Sequence, residues 1–515
     1  MYIERGHIFL SPIQSNNSAM RKFTCGVRYC RRTNIFAISV CFATGLFLFL
    51  LFQLSAVLQA TPREGVGSLQ TRSWHDLETL TRHEGSDHGQ LVESPSRDLE
   101  ERTTVKLNQV KTGSSLLTSL REMTRREGSS CTETQEESRF REVEKGTLVY
   151  SAWFDDRQTQ SFIRVLLLTS TRHPPPLFCH FESAAKQKTA VSSASFYQHN
   201  ENHYMHFGGY IASCILPPTL DSTPCFINIS TRSTSTAQNE SSDSVVLPVG
   251  FIDHQHSAEK VRRKQYGICI PPLHGEILVD RLIEFLELSQ ILGASLFTFY
   301  EFAVSEEVRE LLNYYEDKGL ARIFSWNLPS YIGKYDIHYF GQTLSIMDCL
   351  FRSMSQLDFV AFNDLDEFIV PLEQDNMIAL LEKIHQDEHC GHCFQSVIFD
   401  PVREDLQISP LLTQRVFHRT KDATPFWTKC VVNPRRIFEQ GVHHVSKPIE
   451  DYYIVNEVNW RTARVFHYRK CDDSYALMAP ECSGVEEDKT MQKYGEQLKR
   501  NFEITEAELD NFSTS

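Results

Sequence analysis

The most strongly apolar part of the chain is a run near its N-terminus. Residues 35–54 read IFAISVCFATGLFLFLLFQL, in which only Ser39, Thr44 and Gln53 are clearly polar. A stretch of about 20 apolar residues matches the thickness of a bilayer core. Five basic residues lie between positions 21 and 32, and positive charge stays on the cytoplasmic side of a membrane. The pattern predicts a cytosolic tail over 1–34, a transmembrane signal-anchor over 35–57 and a luminal remainder; a cleaved signal peptide and a buried core helix are the alternatives.

Two regions of different character follow this run. Residues 58–145 are rich in Ser, Thr, Arg and Glu and contain few large apolar residues, a composition that predicts a disordered stem. From Gly146 the pattern changes to short β-prone runs bounded by turn residues, of which 148–154 and 162–168 are the clearest. No long helical period interrupts them, so residues 146–255 are predicted to form a small β-rich, sandwich-like domain.

Strand and helix patterns alternate from Tyr266 onward. Apolar strand patterns occupy 266–270, 296–300, 321–326 and 359–362, and amphipathic helix patterns occupy 277–292, 306–318 and 341–354. Gly293 suits the end of the first helix, and Ser305 suits the start of the second. Such alternation predicts an α/β domain over 256–515, with a mainly parallel sheet that binds its ligand at the carboxyl ends of the strands.

Composition narrows the class of protein. The 515 residues allow two folded units with tethers, and a net charge of -14 argues against a nucleic-acid partner, which would need a basic stripe. Eleven of the 14 cysteines lie beyond position 130, which is typical of a compartment where disulfides form, and the odd number leaves a free thiol or a bond to another chain. Cys179, Cys214 and Cys225 offer a disulfide in the β-rich domain. Asn228 and Asn239 begin N-glycosylation triplets, which fits luminal exposure.

The fourth predicted strand leads directly into Asp364-Leu365-Asp366. In an extended segment residues i and i+2 point the same way, so the carboxylates of Asp364 and Asp366 are expected to project together from the carboxyl end of the strand. Two hard oxygen ligands suit Mn²⁺ or Mg²⁺, which would bridge a diphosphate and stabilise the charge on a departing nucleoside diphosphate. The sequence thus predicts a metal and nucleotide-sugar site; the alternative is a turn with solvated acids.

The motifs around this site resemble those of glycosyltransferase family 92. They follow one another over 266–468 as CIPPLHG at 269–275, IEF at 283–285, LG at 292–293, YY at 314–315, GQ at 341–342, DCL at 348–350, DLDEFIVP at 364–371, KC at 429–430, VHH at 442–444 and HYR at 467–469. YSAWFDDR at 150–157 resembles the upstream module of animal members. The resemblance covers about 146–470. It implies a GT-A type nucleotide-diphospho-sugar fold.

The resemblance also implies an activity. It is the inverting transfer of galactose from UDP-galactose with a divalent metal, usually Mn²⁺, in β-1,4 linkage to a galactose or fucose of a glycoprotein glycan. A Golgi membrane protein of type II topology is expected. By analogy Asp364 and Asp366 are catalytic and bind the metal and the sugar nucleotide. One late histidine often completes such a metal shell, and His443 or His444 is the candidate, with His467 as the runner-up.

The donor pocket and the general base complete the expected site. Residues at the ends of the first two strands and on the third helix would contact the uridine and the sugar, namely Pro271, Pro272, His274, Tyr300, Glu301, Gln342 and Asp348. An inverting transferase needs a base near the acceptor hydroxyl. The candidates are Asp400, Glu404, Asp405 and Asp422, with Glu367 in a supporting role. Residues 398–403 depart from the family's usual aromatic-Gly-Ser pattern, which leaves the acceptor open.

Two further interpretations stay open. Cys390-Gly391-His392-Cys393, next to His389, resembles half of a zinc site, although an oxidising lumen favours disulfides there. The chain could also be a non-catalytic membrane-anchored glycan-binding protein, or a transferase for another UDP-sugar. The two aspartates favour an enzyme, because a decayed site would usually lose its carboxylates. No G-x-S-x-G element or Walker loop occurs in the sequence.

Overall fold

The computed structural model describes residues 138–182, 189–220, 222–233, 244–252, 264–403, 409–471 and 484–512. These residues all belong to one structural unit, Val110–Ser515. The predicted cytosolic tail, the signal-anchor over 35–57 and nearly all of the predicted stem lie outside the described residues. Among the helices of the described ranges, none is long and apolar enough to cross a membrane.

The first described region is built from strands, as the short apolar runs predict. They are β1 (Arg141–Glu144), β2 (Thr147–Asp155), β3 (Phe162–Ser170), β4 (Phe178–Glu182), β5 (Thr189–Ser193), β6 (Ser195–Gln198), β7 (Phe207–Ile215), β8 (Phe226–Ser230) and β9 (Ser244–Phe251). Their order in the sheet is β5-β4-β8-β9-β2-β3-β7-β6, and β1 pairs with β2. Strand β1 begins within the predicted stem, so the folded region starts earlier than residue 146.

A disulfide joins Cys179 on β4 to Cys214 on β7, although these strands are not neighbours in the sheet. The two ends of the sheet therefore lie face to face and share an apolar core that includes Leu167 and Ile229. One predicted glycosylation residue, Asn228, lies within β8 with a buried side-chain oxygen, and Asn239 falls outside the described residues.

The second region combines helices and strands. Its strands are β10 (Lys264–Cys269), β11 (Phe297–Glu301), β12 (Ala321–Ser325), β13 (Leu357–Phe362), β14 (Glu367–Pro371), β15 (His389–Phe399), β16 (His418–Thr420), β17 (Thr424–Val432), β18 (Ile437–Gln440), β19 (Val445–Pro448), β20 (Ile454–Val458), β21 (Ala463–Tyr468) and β22 (Val485–Glu487). Its helices are α1 (Val279–Ile291), α2 (Glu306–Asp317), α3 (Gln342–Ser353), α4 (Met377–Ile384) and α5 (Gly495–Phe512). The alternation predicted for residues 266–362 is confirmed.

The sheet of this region is mixed rather than mainly parallel. Strands β12, β11, β10 and β13 are parallel neighbours, but β13 pairs antiparallel with β17, and β17 pairs antiparallel with β15. Beyond these strands the sheet contains both directions, since β15 pairs parallel with β20 and β21, whereas β14 pairs antiparallel with β21. The prediction of a mainly parallel sheet is therefore correct for the first four strands, and the rest of the sheet is mixed.

Local signals account for the helix ends. The side chain of Ser305 accepts a hydrogen bond from the backbone N–H of Val308, which satisfies a donor in the first turn of α2. Gly293 follows α1 with a φ of +107°, a conformation that other residues rarely adopt. The C-terminal helix α5 buries Leu498 and Phe502 in the same core as α1, and this helix was not predicted.

A buried ion pair ties the β-rich region to the α/β region. The Asp348 carboxylate on α3 lies 2.5 Å from the Arg352 guanidinium, and neither side chain has more than 4% of its surface exposed. Asp348 also accepts hydrogen bonds from the hydroxyl of Ser151 on β2 at 2.6 Å and from that of Tyr300 on β11 at 2.7 Å. The indole N–H of Trp153 donates to Ser151 at 3.0 Å. The two regions therefore share a polar centre as well as an apolar core.

Candidate active site

The two predicted metal-binding aspartates lie in a turn between β13 and β14. The backbone N–H of Glu367 donates to the carbonyl of Asp364 at 3.2 Å, which closes the turn. Asn363 anchors the turn to β10 and to the start of β14. Its backbone N–H donates to the carbonyl of Cys269 at 3.1 Å, and its side-chain amide donates to the carbonyl of Glu367 at 3.2 Å. The segment is thus not extended, and the i, i+2 argument for the two carboxylates was wrong. The expected location at the carboxyl ends of β10 and β13 is confirmed.

Buried polar groups support this turn. Lys429 on β17 has 2% of its side chain exposed, and its ammonium lies 2.9 Å from Glu367 Oε2 and 3.2 Å from Asp364 Oδ2. Glu367, with 1% exposed, also accepts the backbone N–H of Asp364 at 3.0 Å. His467 on β21 places Nε2 3.5 Å from Asp366 Oδ2 and Nδ1 3.5 Å from Glu367 Oε1. The side chains of Asp364 and Asp366 remain 40% and 32% exposed, so they face solvent above these buried polar groups.

The charges of this group favour an ionised Asp366. Burial alone would raise the pKa of Asp366, but the neighbouring His467 outweighs it and lowers the pKa to about 2. Burial would likewise lower the pKa of Lys429, but Asp364 and Glu367 raise it well above its ordinary value. The site therefore presents carboxylates above a lysine that keeps its charge.

The donor chemistry at the turn fits a divalent cation. Carboxylate oxygens of Asp364 and Asp366 are hard ligands, and a nearby imidazole nitrogen is compatible with Mn²⁺. His467 is the histidine in contact with Asp366. His443 is nearby, since its pKa, which burial lowers to about 4, also responds to Lys429, Asp364 and His467. Its Nδ1 lies 3.2 Å from the carbonyl of Thr428.

His444 lies in a different environment from the other two histidines. It is half exposed, with Nδ1 3.9 Å from a Glu201 oxygen and Nε2 3.3 Å from the Ser446 hydroxyl. The structure thus brings the runner-up, His467, into contact with Asp366 and Glu367. Metal binding by His443 and His444 stays a prediction.

A narrow cavity adjoins the turn at the carboxyl ends of β10 and β13. Predicted donor contacts Pro271 and Gln342 line it together with Asp364 and Lys429. Pro272 is buried beside it, and its carbonyl accepts a hydrogen bond from Nδ1 of the exposed His274 at 2.9 Å. Three of the residues predicted from the sequence, Pro271, Gln342 and Asp364, therefore line one cavity.

Three predicted donor contacts are placed elsewhere. Asp348 and Tyr300 are completely buried in the polar centre shared with the β-rich region, which leaves them no surface to offer a nucleotide. Glu301 forms an ion pair with Arg309 on α2, whose Nε lies 3.0 Å from its carboxylate. The burial of Tyr300 and Asp348 argues against these two assignments, because a residue of a strand or helix can point into the core as well as out of it. Glu301, which is partly exposed, stays a predicted donor contact.

The predicted general bases are partly described. Asp400 directly follows β15, in which Ile398 is paired with His467, and its carboxylate accepts the backbone N–H of Val402 at 3.0 Å. Asp422 is exposed in the turn between β16 and β17. Glu404 and Asp405 lie outside the described residues. The base stays a prediction between these candidates.

Sequence reasoning gave no role to Trp427 and none to Lys429 beyond the KC motif. Both lie on β17, two residues apart, and therefore on the same face of the strand. The ring centre of Trp427 is 6.5 Å from that of His467, and the Arg469 guanidinium lies 5.0 Å from the indole. A signal was available for Lys429, since a lysine within the buried run TKCVV needs an anionic partner.

Comparisons with known proteins agree with this geometry. The model of glycosyltransferase family 92 matches residues 264–512. A Beta-1,4-galactosyltransferase, galt-1, of Caenorhabditis elegans is 26% identical over 386 residues, which cover 73% of this chain and 84% of that protein. A glycosyltransferase family 92 protein of the same organism is 30% identical over 121 residues, covering 22% of this chain and 24% of its own length.

A crystal structure of a mycobacterial protein matches with a TM-score of 0.18 and 15% identity, over 27% of this chain and 42% of that one, which is too weak to support an argument about fold.

The family match covers β10 to α5 and thus includes the turn, the cavity, Lys429 and His467. The chain therefore contains a glycosyltransferase family 92 domain over residues 264–512, and it is a glycosyltransferase.

Proposed function

We propose that the chain is an inverting, metal-dependent galactosyltransferase that acts in the Golgi lumen from a membrane anchor over 35–57. It transfers galactose from UDP-galactose in β-1,4 linkage to a galactose or fucose of a glycoprotein glycan. The observation that carries the proposal is the turn itself, in which two outward-facing aspartates adjoin a cavity at the carboxyl ends of β10 and β13. The relative named as a β-1,4-galactosyltransferase supports the choice of donor and linkage.

The residues of the turn have separate roles in this proposal. Asp364, Asp366 and His467 would hold Mn²⁺ or Mg²⁺. When bound, such an ion supplies positive charge against the diphosphate of the donor. Lys429 fixes the orientation of Asp364 and Glu367 through its contacts of 3.2 and 2.9 Å, so the aspartates need little rearrangement when the donor binds.

The cavity and the neighbouring strand ends would place the two sugars. Pro271 and Gln342 line the cavity and would contact the donor nucleotide. The indole of Trp427, close to His467, offers an apolar face for the acceptor sugar. Asp400 and Asp422 are the candidates for the base that takes the proton of the acceptor hydroxyl, so that the galactose carbon bonds to the acceptor oxygen as its bond to UDP breaks.

The test uses the full chain with Mn²⁺ and a panel of UDP-sugars, offered with β-galactosides and fucosides as acceptors. We expect transfer from UDP-galactose that is lost with EDTA and restored by Mn²⁺. Preference for UDP-glucose or a UDP-N-acetylhexosamine would replace the proposed donor. No turnover with any donor, combined with no Mn²⁺-dependent binding of UDP, would contradict the enzyme proposal and favour a glycan-binding role.

Replacing Trp427 with alanine is expected to raise the KM for the acceptor about tenfold with little change in kcat, because loss of one aromatic contact costs about 1.4 kcal/mol at most. Trp427→Phe should keep most of the affinity. Trp460→Ala is the matched control, since Trp460 precedes β21 at the end remote from His467 and packs against Arg464. Equal effects of the two alanine variants on KM would rule out acceptor stacking by Trp427.

A further inference from the structure

Three histidines meet at a place remote from the turn. His385 follows α4, and His389 and His392 lie at the start of β15. One ring nitrogen from each lies within 4.8 Å of the others. His385 Nδ1 and His392 Nε2 are 3.0 Å apart, and His392 has no exposed surface. The cluster falls in the segment whose cysteines resemble half of a zinc site, but Cys393 is bonded to Cys430 and Cys390 is a buried free thiol.

Two of the imidazoles are held in place from outside the cluster. His392 Nδ1 lies 3.0 Å from the side-chain amide of Asn456, and His389 Nδ1 accepts the backbone N–H of Gln386 at 3.2 Å. In the structure Asn456 Nδ2 faces His392 Nδ1; with the amide turned over, so that its oxygen accepts from Nδ1–H, His392 Nε2 carries a lone pair toward the cluster. His389 Nε2 carries the ring proton while Nδ1 accepts from Gln386, so this ring has to give up that hydrogen bond before one of its nitrogens can bind a metal. Metal-binding histidines are typically oriented by a partner that accepts the other ring N–H, as the Asn456 oxygen would for His392.

We propose that His385, His389 and His392 bind a Zn²⁺ ion. Nitrogen ligands about 2.0–2.1 Å from zinc lie about 3.3 Å apart in tetrahedral geometry, so the observed cluster needs only small side-chain rotations. Imidazole ligands suit zinc, whereas Mg²⁺ and Mn²⁺ prefer the oxygen ligands found at the turn.

The surroundings define the remaining coordination and the charge balance. His385 also lines a groove with Glu382 and Asp358, so the fourth ligand is a water molecule or the Glu382 carboxylate. The positive charge of Arg436 disfavours a cation at this place, since the guanidinium donates to the backbone carbonyl of His389 at 2.8 Å. Burial and, to a smaller extent, Arg436 lower the pKa of His385. Asp387 and Glu388 act on His385 in the opposite direction.

The proposed ion would have a structural role. The ring of His385 contacts that of Phe359 near the start of β13, at a centroid distance of 4.9 Å, whereas Asp364 follows the end of the same strand. A strand of this length separates its ends by about 17–20 Å. The ion would therefore fasten the end of α4 to β15 without touching the donor site.

The test titrates Zn²⁺ alone into metal-free full chain, with a chromophoric chelator as competitor. We expect one zinc ion per chain with a Kd in the micromolar range or tighter, and a melting temperature that rises with zinc. His385→Gln and His389→Gln should each weaken binding at least tenfold and remove the thermal shift. His385 is half-buried at a helix end, so its variant should melt like the wild type when zinc is absent.

Two controls separate this site from other zinc ligands. His173→Gln changes an exposed histidine, and Asp366→Asn changes the turn; both should bind zinc like the wild type. Tetrahedral absorption bands of a bound Co²⁺ ion should be lost in His389→Gln. Failure of the wild type to bind zinc below about 100 µM, or equal binding by the His385→Gln/His389→Gln double variant, would overturn the proposal. Loss of galactosyl transfer alone would not bear on it.

Discussion

Replacing Asp366 with alanine is expected to reduce kcat for sugar transfer by about 10²–10³-fold, the usual cost of losing one preorganised electrostatic group. Asp366 is 32% exposed and forms an ion pair with His467 at 3.5 Å, so we expect the fold not to depend on its side chain. The loss of stability should be about 1 kcal/mol or less. Steady-state kinetics with UDP-galactose and a thermal melt of the same preparation measure the two quantities.

Asp317→Ala is the matched control, because Asp317 is an exposed aspartate at the end of α2 on another part of the surface. It should leave both kcat and the melting temperature unchanged. Asp366→Asn keeps the shape and removes the charge, and should be nearly as inactive as the alanine variant. An Asp366→Ala protein that melts far below the wild type would mean that the carboxylate is structural. An active variant would mean that the turn does not hold the metal.

The helices and the first four strands could be predicted because their signals are local. A serine at the start of α2, glycines with positive φ after α1 and α2, and apolar runs of strand length all act within a few residues. Mixed strand directions after β13 could not be predicted in the same way. They depend on which strands pair across long connections, as β13 does with β17 at Val360 and Val432.

The site was predictable to the extent that it lies in one segment. Asp364 and Asp366 are neighbours in the sequence, but the groups that fix them, Lys429 and His467, come from β17 and β21. Their contacts join residues that the fold alone brings together. Tyr300 and Asp348 were predicted to contact the donor because they lie near the predicted site in the sequence pattern. In the structure both are buried and are hydrogen-bonded to each other.

Asp348 was assigned wrongly because the β-rich region covers the helix on which it lies. Helix α3 has an amphipathic pattern, yet all of its side chains are buried, because β3 and β7 of the β-rich region pack against it. Asp348 on this helix is satisfied by Ser151 on β2, 197 positions earlier in the chain. A sequence pattern describes one element at a time and does not reveal a covering layer from a distant segment.

Asp348→Ala is accordingly expected to destabilise the whole fold rather than weaken donor binding. The substitution would leave the Arg352 guanidinium buried without its carboxylate and would remove the acceptor for the hydroxyls of Ser151 and Tyr300. Breaking one side of a buried ion pair costs about 3–5 kcal/mol. Denaturant unfolding followed by tryptophan fluorescence measures this cost, and Trp153 is a local reporter because its N–H donates to Ser151.

A double variant distinguishes a broken pair from a general packing defect. Asp348→Ala/Arg352→Met removes both charges and should recover part of the lost stability. Replacing both members of a buried ion pair destabilises a protein less than leaving one charge buried without its partner. Asp317→Ala again serves as the control. Normal unfolding of Asp348→Ala, together with a raised KM for UDP-galactose, would reinstate Asp348 as a donor contact. A stability loss that the double variant does not relieve would mean that cavity formation, and not the unpaired charge, dominates. Recovery would show that the Arg352 charge, buried without its carboxylate, causes the loss in Asp348→Ala.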